Sequence, residues 1–250
     1  MNKAFCKKRV FLSFLLTGCL ILFNISCGLD TFYVLPGPIT TEHKPDYLSE
    51  EYAENHFDFW TVETGCDGVR FNGTDVYYKI YTNKDTLKNQ RTSLDTLITS
   101  ETASPFDSLI SSSYNYKRLT VEGHEDESTL IPASATKSNQ LVSIRLSDFT
   151  DQYLAEILVN GQNIYGESNR VIPLRYVTDD NGKAVNFNFK LTDSNSLPKS
   201  SQEDVNSTGG NSEENVWYVC LYAVAVGNEP SYALVHSNLL YLGSVKIPAQ

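Results

Sequence analysis

Few residues in this 250-residue chain have the types and spacing that covalent catalysis needs. Ser134-Ala135-Thr136-Lys137 matches S-x-x-K, a pattern in which a lysine amine activates a serine nucleophile. Ser196-Leu197-Pro198-Lys199 matches the same pattern, and the sequence contains no K-T-G partner motif. Nucleophile elbows, zinc helices, phosphate loops and C-x-x-C pairs are also missing from the sequence. We therefore predict a protein that is not an enzyme, and we assign no catalytic residue.

Metal binding is equally weakly supported by the residue pattern. The run His124 to Glu127 offers nitrogen and oxygen ligands, but a zinc site needs three or four rigidly held ligands. The other histidines show no close spacing to this run. Asp179-Asp180-Asn181-Gly182 could ligate calcium, yet it lacks the downstream bidentate glutamate of an EF-hand loop, and turn chemistry explains it more simply. We predict no metal and no cofactor.

The first 30 residues have the composition of an export signal. Val10 to Ile25 is nearly all apolar, and no acidic residue precedes Asp30. The basic residues that precede the apolar run are Lys3, Lys7, Lys8 and Arg9. A basic start followed by a short apolar core is typical of a secretory signal, and the core is too short for a comfortable transmembrane helix. We predict that residues 1–26 are removed.

The end of this signal resembles that of bacterial lipoproteins, and its loosened cleavage motif is similar to those of spirochaetes. In that family a cysteine preceded by small residues receives a diacylglycerol and becomes the new N-terminus. Ser26-Cys27 closes the apolar run, whereas Leu16-Thr17-Gly18-Cys19 matches the usual motif better but leaves an apolar stub. The resemblance implies lipidation at Cys27, with Cys19 as the alternative, and attachment to the bacterial outer membrane. The face of that membrane stays open.

Charge limits the choice of partner. The full chain has 20 basic and 30 acidic residues. Removal of residues 1–26 takes four basic and no acidic residues away, which leaves a net charge of −14. Nucleic acid is therefore excluded as a partner, because binding it requires a basic surface that displaces counterions.

Two cysteines, Cys66 and Cys220, remain after the signal and the lipidated residue are set aside. An exported chain can oxidise such a pair to a disulfide. The alternative is two separately buried thiols that pack as small apolar groups. The spacing does not decide between these two arrangements.

The rest of the chain divides by composition. Residues 27–54 are rich in proline and acids and predict a tether, while residues 55–250 predict a β-rich body. Within the body, residues 193–215 have hardly any apolar side chain and predict a long mobile loop. Helices are predicted over residues 85–98 and after Ser104, an N-cap followed by proline. The predicted strands cover residues 57–62, 76–81, 141–146, 153–159, 171–177 and 184–191, with hairpin turns at Asn160-Gly161 and Asn181-Gly182.

Two segments resemble strands of a fibronectin type III domain. Residues 217–231 (WYVCLYAVAVGNEPS) are similar to strand F and its following turn, and residues 60–81 are similar to strands B and C. The resemblance implies an immunoglobulin-like β-sandwich in which a helix-and-strand insertion, roughly residues 84–215, separates the two segments. The residues then expected to face the core by alternation are Trp60, Val76, Tyr78, Ile80, Trp217, Val219, Leu221 and Ala223.

The same alternation points Tyr77, Tyr81 and Tyr222 away from that core. A stripe of exposed tyrosines could bind a protein or a carbohydrate, unless the insertion covers it. With the lipid anchor and the lack of a catalytic motif, the sequence favours a lipid-anchored, non-catalytic binding or adhesion protein of the cell envelope. The alternatives are a structural or accessory subunit of a periplasmic assembly and, with less support, an envelope hydrolase.

Overall fold

The computed structural model describes residues 33–100, 104–209 and 212–250. The predicted signal and both candidate lipidation sites, Cys19 and Cys27, lie outside the described residues. Val34 to Gln250 forms one unit by its internal contacts. The structure is mainly β, with 35% strand and 13% helix, and this part of the fold prediction is confirmed.

Fifteen strands are formed by the described residues. They are β1 (Ile39–Thr40), β2 (Phe57–Trp60), β3 (Arg70–Tyr81), β4 (Lys117–Arg118), β5 (Thr120–Val121), β6 (Ile131–Pro132), β7 (Leu141–Arg145), β8 (Glu156–Val159), β9 (Gln162–Asn163), β10 (Pro173–Thr178), β11 (Ala184–Asn186), β12 (Val205–Asn206), β13 (Val216–Asn228), β14 (Leu234–His236) and β15 (Leu240–Pro248). The α-helices are α1 (Lys84–Ile98) and α2 (Pro105–Ile110), and single 3-10 turns occur at Tyr52–Glu54 and Ile164–Gly166.

The central sheet is built around the antiparallel pair of long strands β3 and β13. Strands β15 and β14 pair with the other edge of β13, and β6, β4 and β12 pair in turn along the other edge of β3. A second sheet has the strand order β1-β2-β7-β8-β9, and a third has the order β11-β10-β5. The C-like and F-like segments of the sequence are therefore neighbours, as predicted.

One face of the central sheet packs against the second sheet and forms the main core. Val76, Tyr78 and Ile80 of β3 are fully buried there together with Phe57 and Phe59 of β2. Of the residues that alternation predicted for this core, the structure places Val76, Tyr78, Ile80, Trp217, Val219, Leu221 and Ala223 in it. The prediction for Trp60 is wrong. Its ring is 37% exposed, because Phe57 and Phe59 take the inward positions of β2 and leave the even-numbered position outside.

The opposite face of the central sheet is also covered. Leu87 and Leu94 of α1 and Phe106 and Leu109 of α2 pack on it, and this second cluster is called the helix-side core below. Helix α2 begins directly after its predicted cap, Ser104, and α1 begins one residue before its predicted start. The side chain of Asn83 accepts hydrogen bonds from two backbone N–H groups of α1, and Ser104 accepts one from α2. The central sheet is thus buried on both faces.

The hairpin prediction at Asn160-Gly161 is confirmed. Both residues have positive φ, 53° and 76°, as a type I′ turn requires, and they join the antiparallel strands β8 and β9. The second predicted turn, Asn181-Gly182, joins β10 to β11, and the Asp179 carboxylate accepts hydrogen bonds from the backbone N–H groups of Asn181 and Lys183. Asn and Asp favour such turns because their side chains bond the nearby backbone.

The predicted tether is wrong for the part of it that is described. Val34 forms a bridge with Asp67, and β1 pairs with β2. Farther along, the Pro45 carbonyl accepts a hydrogen bond from Ser244 N at 3.2 Å. Residues 34–54 therefore run along the body, because their backbone groups find partners at the edges of two sheets.

The predicted mobile loop is also pinned to the body. Within residues 193–215, Val205 and Asn206 form β12 and pair in parallel with β3. Asp204 is fully buried and forms an ion pair with Arg175 of β10. The composition of residues 193–215 did not predict this attachment, because it depends on one buried ion pair and one short strand within a segment whose other side chains are polar.

Candidate functional site

Three loops meet at one end of the central sheet. They are residues 63–71, which lead into β3, residues 133–137, which follow β6, and residues 228–232, which join β13 to β14. Arg70 lies opposite Asn228 in the pairing of β3 with β13, and Gly73 lies opposite Pro132 of β6, so the strands bring the loops together. We call the surface of these three loops the loop-end surface.

The larger of two clefts on this surface has a volume of about 710 Å³. Its lining includes Glu63, Cys66, Arg70, Ser134 and Lys137. The Glu63 carboxylate is largely buried and accepts hydrogen bonds from Ser134 N at 2.8 and 3.0 Å. These bonds hold the loop 133–137 against residues 61–63. We call this space the Glu63 cleft.

Glu63 has a further donor but no cation. Gln140 Nε2 donates to Glu63 Oε1 at 2.7 Å, and the Asn139 side chain accepts the backbone N–H of Glu63 at 3.0 Å. No ion pair involves Glu63 among the described residues. Neutral donors therefore satisfy the carboxylate at the wall of the cleft.

A second cleft, of about 480 Å³, adjoins the first. Its lining includes Asn228, Glu229, Pro230 and Tyr232, and it shares Val69 and Arg70 with the Glu63 cleft. Arg70 therefore stands between the two clefts. We call the second space the Tyr232 cleft.

Tyr232 stands at the tip of the hairpin between β13 and β14. Its side chain is 88% exposed, and its φ is 66°, a left-handed conformation that is costly for a residue with a Cβ. Tyr232 N donates to Glu229 O at 2.8 Å, and Tyr232 O accepts a bond from Asn228 Nδ2 at 3.1 Å. These bonds fix a tight turn that presents the ring to solvent.

Two unpaired bases line the Glu63 cleft. In the described part of the chain, many bases are neutralised, for example Lys199 by Asp180. Arg70 and Lys137 have neither an ion pair nor a side-chain hydrogen bond among the described residues, and both line the Glu63 cleft. The other bases in this state, counted over the same residues, are Lys44, which lies over the Tyr241 ring, and Lys88, Lys183 and Lys190.

Cys66 contributes a thiol to the Glu63 cleft. Burial and, to a smaller extent, the negative charge of Glu63 raise the pKa of this thiol above its ordinary value. The thiolate is the nucleophilic form of cysteine, so this environment makes Cys66 a slow nucleophile. The Cys66 thiol forms a partly exposed, weakly polar part of the wall of the Glu63 cleft.

For Tyr77, Tyr81 and Tyr222 the sequence left two alternatives, an exposed binding stripe or cover by the inserted region, and the structure shows them covered. Tyr77 lies directly opposite Tyr222 across β3 and β13, so the structure does bring them together. Tyr81 and Tyr222 are fully buried in the helix-side core, and Tyr77 packs against Phe106 of α2 with ring centroids 5.4 Å apart. The three tyrosines therefore form a packing surface for the helices, so the binding-surface alternative is wrong and the alternative of cover is confirmed.

The candidate disulfide between Cys66 and Cys220 is not formed, and both thiols are free. Cys220 lies opposite Lys79 in the middle of the sheet, whereas Cys66 lines the cleft beside Arg70. Arg70 and Lys79 are about nine strand positions apart, or about 30 Å. Two cysteines must approach to within about 7 Å between Cα atoms to be bonded.

The motifs that suggested chemistry have ordinary structural partners. The hydroxyl of Ser134 contacts Thr136 Oγ1 at 3.0 Å, and Lys137 N donates to Ser134 O at 3.0 Å, which makes a turn of the S-x-x-K match. His124 stacks on the Tyr165 ring, and its Nε2 lies 3.2 Å from Glu167 Oε1. No cluster of three metal-ligating side chains occurs within residues 33–100, 104–209 and 212–250.

Sequence reasoning missed Glu63, Arg70 and Tyr232. The signal for Tyr232 was present in the turn after the F-like segment, where Gly, Asn, Pro and Ser predict a hairpin tip. Glu63 and Arg70 carried no signal, because their positions depend on the pairing of β3 with two strands that are distant in sequence.

Comparison with known proteins adds no family. No protein-family model matches the chain, and neither a curated protein nor a solved structure is significantly similar to it. In the described part of the chain, no helix is both long and apolar enough to cross a membrane.

Proposed function

We propose that this chain is a lipid-anchored, non-catalytic binding protein of the bacterial cell envelope, and that its ligand binds the loop-end surface. The basic start, the apolar run and Cys27 support export and lipidation. Two or three acyl chains hold a protein on a bilayer far better than one, so this anchor would be stable. The outer membrane is the expected location.

Exposure of Tyr232 is the observation that carries the binding role. A tyrosine offers a large, rigid contact area at low entropic cost, and tyrosine and arginine are enriched at the energetic centres of protein interfaces. In this chain Tyr232 is 88% exposed and lines a cleft that the unpaired Arg70 also lines. A strained backbone at an exposed position also favours a functional origin for the turn.

We further propose that the sandwich is of the fibronectin type III kind, with an inserted region between the C-like and F-like strands. Support comes from the pairing order β3, β13, β15, which is the order of strands C, F and G in that fold. In immunoglobulin-like sandwiches the loops at one end of the strands commonly bind ligands. The loop-end surface corresponds to such an end.

One observation favours the second candidate, an accessory subunit of an envelope assembly. Val34 pairs with Asp67, so the chain enters the body beside the loop-end surface. An anchor that precedes Val34 would keep this surface near the membrane to which it is attached. A partner in the same membrane would then reach it readily.

Site-specific crosslinking in living cells tests the binding role. The Tyr232→p-benzoylphenylalanine variant of the full chain is irradiated in the cells that lipidate it, and Tyr176→p-benzoylphenylalanine is the control. Tyr176 is also exposed, at 57%, but it lies on β10 and away from the loops. We expect a covalent adduct from position 232 and none from position 176. An adduct from position 176 alone, or from neither position, would refute the proposed surface.

A further inference from the structure

We propose that the Glu63 cleft takes an acidic side chain of an extended peptide segment belonging to a protein partner, and that Arg70 and Lys137 bind its carboxylate. The inference rests on the proposed binding role and names the class of ligand. The two bases, the buried Glu63 and the exposed apolar rim each supply one step of the argument.

Charge supplies the first step. The chain has a net charge of −10, so an acidic ligand is repelled by most of the molecule. Arg70 and Lys137 are nevertheless left without partners in one cleft, although the described residues contain a large excess of acids that could pair with them. A carboxylate from outside would complete a charge-assisted contact that no residue of the chain makes.

Glu63 supplies the second step. Its carboxylate accepts bonds from Ser134 N and Gln140 Nε2 and still lines the cleft. A ligand that were only anionic would be repelled at this wall. A peptide segment carries N–H donors beside its acidic side chains, so it can face Arg70 with a carboxylate and Glu63 with a donor.

The rim supplies the third step. Beside the clefts, Tyr232 is 88% exposed and Leu234 is 58% exposed, and Val34 is 46% exposed where it pairs with Asp67. Aromatic residues and arginine are enriched at protein interfaces relative to the rest of the surface, and tyrosine and arginine are enriched at their energetic centres. These side chains favour a protein over an acidic polysaccharide as the partner.

The test measures binding of two fluorescent peptides to the full-length protein in detergent micelles. The first peptide alternates glutamate with serine, and the second replaces each glutamate by the uncharged glutamine. We expect the glutamate peptide to bind at least about tenfold more tightly, since hydrogen bonds to charged groups are worth more than neutral ones. Bound glutamate peptide should also slow the alkylation of Cys66, which lines the cleft, as read by peptide mass spectrometry.

Variants identify the site. Arg70→Gln and Lys137→Gln should each weaken binding of the glutamate peptide by about tenfold. Lys183→Gln removes another unpaired, exposed base on a distant turn and should leave binding unchanged. The buried Cys220 should resist alkylation in every variant, which shows that each is folded. Equal affinity for the two peptides would overturn the proposal. So would a loss of affinity for the glutamate peptide in Lys183→Gln that equals the loss in Arg70→Gln and Lys137→Gln.

Competition with an acidic polysaccharide distinguishes a peptide ligand from a polysaccharide ligand. If soluble alginate, a polymer of acidic sugars, displaced the glutamate peptide and bound more tightly than it in an Arg70-dependent manner, the peptide assignment would be wrong. The crosslinking experiment is independent of this test. An adduct at position 232 without a preference for glutamate peptides would overturn this inference and leave the binding role intact. The absence of an adduct at position 232 would overturn the binding role and, with it, this inference.

Discussion

Arg175 and Asp204 form an ion pair in which both side chains are fully buried. Arg175 Nε donates to Asp204 Oδ2 and Nη2 donates to Oδ1, each at 2.9 Å. The hydroxyl of Tyr78 also donates to Asp204 Oδ2, at 2.7 Å. The pair therefore joins three segments, β3, β10 and the residues before β12, that are far apart in sequence.

Removing one member of this pair should strongly destabilise the fold. Asp204→Ala leaves the Arg175 cation buried without a counter-charge, and we expect the free energy of unfolding to fall by about 3–5 kcal/mol in urea denaturation. Asp180→Ala breaks an exposed ion pair with Lys199 and should change it by less than about 0.5 kcal/mol. If Asp204→Ala and Asp180→Ala lowered the free energy of unfolding by similar amounts, burial would not be the reason that the Arg175–Asp204 pair matters.

The hydroxyl groups of two buried tyrosines should have opposite effects. Tyr222 OH is buried and has no hydrogen-bond partner among the described residues, so Tyr222→Phe should raise the free energy of unfolding by about 1 kcal/mol. Tyr78 OH donates to Asp204 and accepts the Tyr176 N–H, so Tyr78→Phe should lower it by about 1–3 kcal/mol. Denaturation of both variants under one condition checks this, and a loss in Tyr222→Phe would reveal an unseen partner.

Lys79 should make stability rise with pH in the alkaline range. Burial lowers the pKa of its ammonium group from 10.5 to about 8 in the folded protein. Between these two values the unfolded chain binds more protons than the folded chain, so the free energy of unfolding increases with pH. Below the lower value both states are protonated, and the full cost of burying the charge is present.

Lys79→Gln removes the charge and keeps an uncharged N–H donor on the side chain at the position where Lys79 Nζ donates to the carbonyl groups of Asn115 and Glu203. We expect Lys79→Gln to lack this rise. Its free energy of unfolding should exceed that of the natural protein below about pH 8, and this difference should shrink as the pH increases from about 8 to 10.5. Urea denaturation over a pH series measures the difference, and the exposed Lys190→Gln serves as the control. Parallel pH curves for the natural protein and Lys79→Gln would show that Lys79 is not perturbed.

The two free thiols should react very differently. Cys66 is partly exposed, whereas Cys220 is fully buried and burial raises its pKa to about 12. Iodoacetamide should therefore modify Cys66 in the folded protein and Cys220 only after denaturation, as mapped by mass spectrometry. Protection of both cysteines that ends on adding a reductant would instead indicate a disulfide.

Lipid attachment gives the most direct test of the envelope assignment. Cys27→Ala should abolish incorporation of a labelled fatty acid and leave a larger, unprocessed precursor on a gel. Cys19→Ala is the matched variant within the same apolar run and should be labelled normally. The opposite pattern would transfer the site to Cys19.

Local signals in the sequence predicted local structure well. Ser104 and Pro105 predicted the start of α2, and Asn160-Gly161 predicted a type I′ turn, because caps and turns depend on the few residues that form them. Alternation also placed the inward residues of β3 and β13, since both strands are long enough for the period of two to be clear.

Contacts between residues that are far apart in the sequence could not be predicted from such local signals. Alternation pointed Tyr222 away from the main core but did not decide whether the inserted region covers it, and the positions of α1 and α2 show that it does. The loop-end surface was missed for a similar reason. Glu63 and Ser134 are 71 residues apart in the chain, and no local pattern predicts that one hydrogen-bonds the other.

The packing of residues 34–54 along the body has a mechanical consequence. A pull applied through an N-terminal anchor would reach the body first at Val34 and then at β1, a two-residue strand at the edge of its sheet. Hydrogen bonds loaded one after another open at a lower force than bonds loaded together. Peeling this segment away would release about 70 Å of extended chain, so a load applied at its N-terminal end is taken up by extension of this segment before it reaches the long strands β3 and β13.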